Sequence, residues 1–427
     1  MSATVTSLDG FRAEVLAFLD ANAAPRADPG AAGTPSVWGD GDDDMALFEE
    51  ADREQELADL AADKKWRAAR YDAGLGWITG PKQYGGRDLT PDHERLYASL
   101  EAGYDIPAGG SFMVGLGVVA PTILAHAPDH VQQRYLPAMY RGDVVGCQLF
   151  SEPGAGSDLA SLQTRAERDG DEWVVNGQKV WTSSAHYADI GEIICRTDPE
   201  RPKHRGLTGF VVDMRAPGVE VRRLRQMTGG ASFNEVFLTD VRIPDDHRLG
   251  DVNGGWAVAL TTLLNERASI GAGSADTHGG LGRFSDTGRL IALLRHFGLD
   301  RDPVLRQELA QLHAAFRVGR WNGQRTLDRM AVGQPPGPEL SGAKLALTDN
   351  AQAVSCFVGK VLGPRLVADT GAWGTYAWSR FVLGVPGTRL AGGTDEVLRK
   401  IIGEQVLGLP KEPGIDTTTP FKDLPRN

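Results

Sequence analysis

Three stretches with different hydrophobic periods follow one another along the chain. Up to about residue 143, apolar side chains recur at helical spacing: Phe11, Val15, Phe18 and Leu19, then Leu96, Leu100 and Tyr104, then Val131, Tyr135 and Leu136. That spacing predicts helices. The run WITGPKQYGGRDL, rich in glycine and proline, reads as a connection between two of them. From Cys147 the period drops to two. In DEWVVNGQKVWTSS, two short β-rich runs meet at Asn176-Gly177, a dipeptide that predicts a hairpin. The segments DIGEIICRT, GLTGFVVDM, GVEVRRL and NEVFLTDVRIP add strands at sandwich or barrel spacing, giving an all-β unit of roughly a hundred residues. After Gly254 the helical period returns in longer segments, as in WAVALTTLLNERASIGAG and GPELSGAKLALTDNAQAVSCFVGKVLG. The last segment, TRLAGGTDEVLRKIIGEQVLGLP, puts the pair Gly392-Gly393 and an N-cap Thr394 ahead of a helix with Val397, Ile401, Ile402 and Val406 on one side. The expected organisation is an N-terminal all-α part (1–143), a middle β-domain (144–250), a C-terminal helical bundle (251–411) and a tail (412–427).

Composition narrows the function by exclusion. The 427 residues carry a formal net charge of −11 with no Lys/Arg-rich run to offset it, which argues against a nucleic-acid partner. Cys147, Cys195 and Cys356 are isolated and read as small core hydrophobes in a reducing compartment. GDGDDD (Gly39–Asp44) reads as a solvated helix start, and no metal is expected. Without a basic, apolar leader or a spanning run, the expected location is cytoplasmic, with no membrane insertion. No strand leads into GxGxxG and there is no P-loop, so a Rossmann nucleotide domain is excluded.

Three separated motifs carry a resemblance. CQLFSEPGAGSDLASLQTRAERDGDEWVVNGQKVWTSS (Cys147–Ser184), FNEVFLTDVRIP (Phe233–Pro244) and GGTDEVLRKIIGEQVLGLP closely resemble the flavin-binding segments of the acyl-CoA dehydrogenase family. The likeness covers nearly the whole chain in the same order. It implies an N-terminal α-helical domain, a middle β-barrel or sandwich domain and a C-terminal four-helix bundle, assembled as a dimer or tetramer, with FAD as cofactor. By the same resemblance Gln148, Phe150, Ser151, Gly156, Ser157, Trp181, Thr182, Ser183, Thr394 and Glu396 are expected to contact the cofactor, and Ser157 and Arg267 the substrate. Taken singly, the glycines read as a surface turn and Trp181 as a core aromatic. In this order and company they read as a site.

The implied reaction removes a proton from the α-carbon of an acyl thioester while the β-hydrogen leaves as hydride, so it needs a carboxylate aimed at the α-carbon. Many family members carry that glutamate just before a Gly-Thr pair, where this chain has Gly392. Isovaleryl-CoA and long-chain dehydrogenases carry it instead on the first long helix of the bundle, directly before an arginine. Glu266-Arg267 matches that arrangement, with Leu260, Leu263, Leu264 and Ile270 suggesting a partly buried helix face; the competing reading is an exposed helix carboxylate. Two family segments that complete the FAD site across subunits are altered. One is at best RHFG (Arg295–Gly298) and the other KVLGP (Lys360–Pro364), changes shared by relatives that pair two different subunits. The leading expectation is an acyl-CoA dehydrogenase passing electrons to an electron-transfer flavoprotein, as a homo-oligomer or with a related subunit. A flavin oxidase or monooxygenase on the same fold, or a silent subunit of a heteromer, are the alternatives.

Overall fold

A computed structural model describes residues 7–26, 45, 47, 53–107, 109–273, 284–331, 337–368, 375–411 and 417–425. The GDGDDD patch lies outside these residues, as does the side chain of Ile270. The N-terminal part consists of helices α1 (Leu8–Asn22), α2 (Arg53–Asp72), α3 (Pro91–Glu101), α4 (Ala120–His126) and α5 (Asp129–Arg141), with two-residue strands β1 (Ala24–Pro25) and β2 (Tyr104–Asp105) paired between them. Ser7 caps α1 by accepting from Gly10 N–H, and Phe11, Val15 and Leu19 form its buried stripe, as the period predicts.

The middle of the chain is one sheet: β3 (Gly146–Leu149), β4 (Arg165–Asp169), β5 (Glu172–Ser183), β6 (Ile190–Arg196), β7 (Leu207–Asp213), β8 (Val219–Leu224), β9 (Phe233–Pro244) and β10 (Arg248–Leu249). The order is β10-β7-β6-β4-β5-β9-β8, with β3 joining β6 in parallel. Strands β6 and β7 are covered on both faces. Ile193, Cys195, Phe210 and Val212 enter the core of the sheet domain, while Ile190, Ile194, Leu207 and Val211 share a core with α4, α5 and the helix after the sheet. Cys147 and Cys195 are fully buried in the sheet core, where burial pushes the Cys195 thiol up to about 12.

The hairpin expected at Asn176-Gly177 does not form. β5 runs straight through it with only a register shift between Val175 and Gly177. A Cβ on Gly177 would stand 2.7 Å from Thr164 Cα, so this glycine serves close packing between segments and not a turn. The turn falls earlier, at Gly170-Asp171, where Gly170 has φ +61° and joins β4 to β5.

The C-terminal block holds α6 (Gly255–Gly273), α7 (Thr287–His296), α8 (Pro303–Ala331), α9 (Leu340–Leu362), α10 (Thr375–Thr388) and α11 (Asp395–Ile401). Its core gathers Leu293, Phe316, Val354, Phe357, Trp378 and Phe381. Beyond it the chain returns to the sheet: Pro420 bridges to Pro202, Phe421 N–H donates to Arg201 O at 2.9 Å, and the Phe421 ring covers the Arg196 guanidinium at 3.8 Å. Among the described residues no helix is long and apolar enough to cross a membrane.

Candidate active site

Glu266 sits on the inner face of α6. The expected apolar neighbour Leu260 is 47% exposed, so it does not mark that face. The buried positions are Val258, Ala259 and Thr262, one and two turns before Glu266. The Glu266 carboxylate accepts a hydrogen bond from the Gln148 side chain on β3 and another from the Gly392 backbone, with Arg267 and Lys344 as nearby cations. The residue keeps some accessible surface, yet burial is the strongest influence on its carboxyl. Burial moves the carboxyl above the ordinary carboxylate range, against the pull of those four groups. Arg267 is half-buried beside it; burial lowers the guanidinium and Glu266 opposes that shift.

The turn of α11 serves the same place from the other side. Gly392 and Gly393 both have positive φ, 65° and 90°, which delivers the Gly392 N–H to Glu266. Thr394 is the N-cap, its hydroxyl accepting from Val397 N–H at 3.2 Å. Behind the turn lies a group that no sequence motif singles out. Lys344 of α9, almost fully buried, donates to Gly393 O at 2.8 Å and lies 3.8 Å from Asp395, which also accepts from Thr348 at 3.0 Å and Arg389 at 2.6 Å. The cation and anion on the buried side of the turn satisfy each other and fix its shape. Glu396 is exposed, and the helix departs from the expected face. Leu398 is buried, whereas Val406, in a π-turn over Ile402–Val406, is 45% exposed.

Upstream, β3 leads into the SEPGAGSD loop. Its foot is a buried ion pair: Lys179 Nζ, fully enclosed, donates to Glu152 Oε1 at 3.0 Å, Phe150 O at 3.0 Å and Ile194 O at 2.9 Å. Glu152 also accepts from Gln163 N–H at 2.6 Å and Thr164 N–H at 2.9 Å. Apart from the buried Ala155, the rest of the loop faces outward or is half-buried. Ser157 is exposed, Ser151 is half-buried with its carbonyl accepting from Val180 N–H at 2.8 Å, and a Cβ added at Gly154 or Gly156 would meet nothing within 4 Å. Phe150 is buried among the helices, so its side chain belongs to the core.

Trp181 stands at a bulge of β5 with φ 60° and is 61% exposed, its ring edge-on to Phe233 at 6.1 Å. A positive φ costs a non-glycine residue about 1–2 kcal/mol. A strained backbone that holds an indole outside the core is not what a core aromatic requires. Thr182 next to it is buried with its hydroxyl unpartnered, and Ser183 is half-buried. An exposed indole, hydroxyls at the same strand end and an open glycine loop suit a flat, polar-edged ring laid against backbone.

Three family models match in order: the acyl-CoA dehydrogenase N-terminal domain over residues 44–143, the middle domain over 147–241 and the C-terminal domain over 253–407. The chain belongs to the acyl-CoA dehydrogenase family. As a member it is a flavoprotein oxidoreductase with FAD as cofactor, as its motifs imply. Among curated acyl-CoA dehydrogenases it is similar to FadE34 of Mycobacterium tuberculosis, 38% identical over 358 residues, 83% of this chain but only 48% of that longer protein. With IpdE1 of the same organism it is 35% identical, covering 82% of this chain and 88% of that one. Among solved structures, the Tcur3481-Tcur3483 steroid ACAD superposes with a TM-score of 0.71 at 26% identity, covering 95% of this chain and 98% of that one. The ChsE4-ChsE5 complex from Mycobacterium tuberculosis gives 0.66 at 26% identity, covering 96% and 100%.

Proposed function

We propose that this acyl-CoA dehydrogenase converts an acyl-CoA thioester to its trans-2-enoyl-CoA in the cytoplasm and passes the electrons to an electron-transfer flavoprotein. The observation that carries the reading is the setting of Glu266, a carboxylate on α6 held by Gln148 from the sheet and by Gly392 N–H from the α11 turn. Burial lifts its proton affinity, which suits a base that must keep the proton it takes. Bound FAD supplies the acceptor for the β-hydrogen. Trp181, with Thr182 and Ser183, would hold the ring, Ser151, Gly156 and Ser157 would contribute from the loop, and Thr394 and Glu396 from the turn. Ser157 and Arg267 are assigned to the substrate. A bulky or branched acyl group is favoured, by the base's place on the long helix and by the likeness to an enzyme named as a steroid ACAD.

Glu266→Gln keeps the shape and removes the base. General-base catalysis is worth about a hundred- to ten-thousand-fold, so anaerobic reduction of the flavin by acyl-CoA should slow at least that much while acyl-CoA binding persists. Reduction at close to the wild-type rate would eliminate Glu266 and turn attention to Glu396.

A second reading concerns assembly. Lys360, in place of the family glutamine, is tied to Glu308 of its own chain at 2.6 Å, and both similar structures, Tcur3481-Tcur3483 and ChsE4-ChsE5, are named for a pair of proteins. We infer a heteromer sharing FAD sites. A homotetramer from this gene alone with one FAD per chain would refute it.

A further inference from the structure

Strands β3 and β6 are parallel, with Gln148 directly opposite Glu192. On α6, Thr262 and Glu266 are four residues apart and so lie on one face. The two pairs meet. Gln148 bonds Glu266, and Thr262 Oγ1 donates to Glu192 Oε1 at 2.5 Å. Glu192 has no accessible surface, and its second oxygen, Oε2, has no hydrogen-bond partner among the described residues. The described elements around it offer nothing to neutralise a charge: Gln148 from β3, Val211 from β7, and Thr122 of α4, which bonds Thr262 at 3.0 Å. The charged group that acts on it is Glu266. An acid in the middle of a fully buried strand, with half its carboxyl unpartnered among the described residues, is costly to the fold unless it holds its proton.

We propose that Glu192 is a positioning residue for the reaction, a second buried carboxyl on β6, bonded to the base's own helix face through Thr262, whose charge state governs how strongly Glu266 holds a proton. The proposal rests on Glu266 being the base. Burial, with Glu266 reinforcing it and Thr262 opposing it, pushes the Glu192 carboxyl up to about 8. Below about pH 8 Glu192 is therefore a neutral acid, and any negative charge of the pair sits on Glu266. As pH rises past about 8 Glu192 ionises, and repulsion makes Glu266 the stronger base.

The test is the pH profile of anaerobic flavin reduction by saturating acyl-CoA, for the wild-type holoenzyme, Glu192→Gln and Thr262→Val. The wild type should show two rises, one as Glu266 ionises and a second near pH 8. A coupling of one pKa unit is tenfold in proton affinity, of which a partial proton transfer expresses about threefold in rate. Glu192→Gln should lose the second rise, and Thr262→Val should move it to higher pH because the bond that favours the carboxylate is gone. A Glu192→Gln profile that keeps the second rise, or is only scaled down at every pH, overturns the proposal.

A second readout does not depend on turnover. Because Glu192 binds its proton more tightly folded than unfolded, its contribution to stability is full below its unfolded value of 4.5 and is lost as pH rises through about 8. The local stability of β6 in Glu192→Gln relative to wild type, read by amide exchange, should climb across that window and then level off. A pH-independent difference overturns the proposal. Should Glu192→Gln fail to fold, Thr262→Val carries both measurements. Full activity in Glu266→Gln would instead refute the assignment of the base, leaving the stability difference intact.

Discussion

Removing the buried cation at the foot of the SEPGAGSD loop should have a calculable cost. In Lys179→Met the stem is replaced at similar volume, so the loss falls on the ammonium and its three acceptors. In the wild type, burial alone would raise the Glu152 carboxyl. Lys179, with the N–H groups of Gln163 and Thr164, outweighs burial and holds the carboxyl below the usual range. Without Lys179 the carboxylate faces burial with those N–H groups, the Thr164 side chain and the charge of Arg196 beside it, and it can escape by taking up a proton. At pH 7 that escape costs about 3.4 kcal/mol for a carboxyl of ordinary affinity, at 1.36 kcal/mol per pH unit, so the charge part cannot exceed it. Two stranded carbonyls, Phe150 O and Ile194 O, add about 1 kcal/mol each. The expected penalty is about 3–5 kcal/mol, the range found when one partner of a buried pair is removed. It should depend on pH. Wild-type Glu152 contributes stability above its unfolded value and loses it only as pH falls through its depressed folded value. In the variant the folded value is raised, so stability is lost as pH rises instead. The gap between the two proteins should therefore shrink by about 2 kcal/mol between pH 7 and pH 5.5. A chain of several domains does not unfold in one step, so the measurement is local amide exchange across β5 and residues 150–164. A gap under about 1 kcal/mol at pH 7, or one that ignores pH, would refute the reasoning.

Two further expectations concern the ligand and the turn. Trp181→Ala combined with Ser157→Ala removes a stacking surface and a hydroxyl, so FAD should dissociate on extended dialysis; full flavin occupancy afterwards would mean the ring lies elsewhere. Gly392→Glu in the Glu266→Gln background should restore part of the flavin-reduction rate, since Gly392 already touches the Glu266 position, at a cost of about 1–2 kcal/mol for a side chain at φ 65°. A folded, FAD-loaded double variant no faster than Glu266→Gln alone would show that the two positions do not serve one carbon.

Elements with an unbroken period were legible in the sequence. The stripe of α1 and the strands β8 and β9 lie where the period places them, because one buried face dictates each, while β6 and β7, buried on both faces, read as short apolar runs. Failures came where a contact distant in sequence overrides a local signal. Asn176-Gly177 looks like a turn, but its glycine is required by Thr164 pressing against β5. The face expected on α11 assumed a regular helix, and the π-turn at Ile402–Val406 rotates everything after it. At the site, the resemblance singled out Glu266, but nothing local announces its surroundings. Gln148 reaches it through parallel strand pairing, Lys344 and Gly392 through packing of α9 and the turn. Glu192 did carry a signal, the one acid within the strand IGEIICR. Its meaning depends on the register of β3 against β6, which single-chain periodicity does not encode.

The return of residues 417–425 to the sheet sets an order of events during synthesis. Arg196 is buried, with burial lowering its guanidinium to about 10, and part of its cover is the Phe421 ring. On the ribosome β6 and β7 emerge well before Phe421 does. At 5–20 residues per second, the interval from Arg196 to Phe421 is roughly ten to forty-five seconds. Closing so long a loop costs little more than closing a short one, since the entropy grows only logarithmically with length. The nascent β-domain therefore lacks the Phe421 cover on this guanidinium while the whole helical block is made, and a segment translated after that block supplies it.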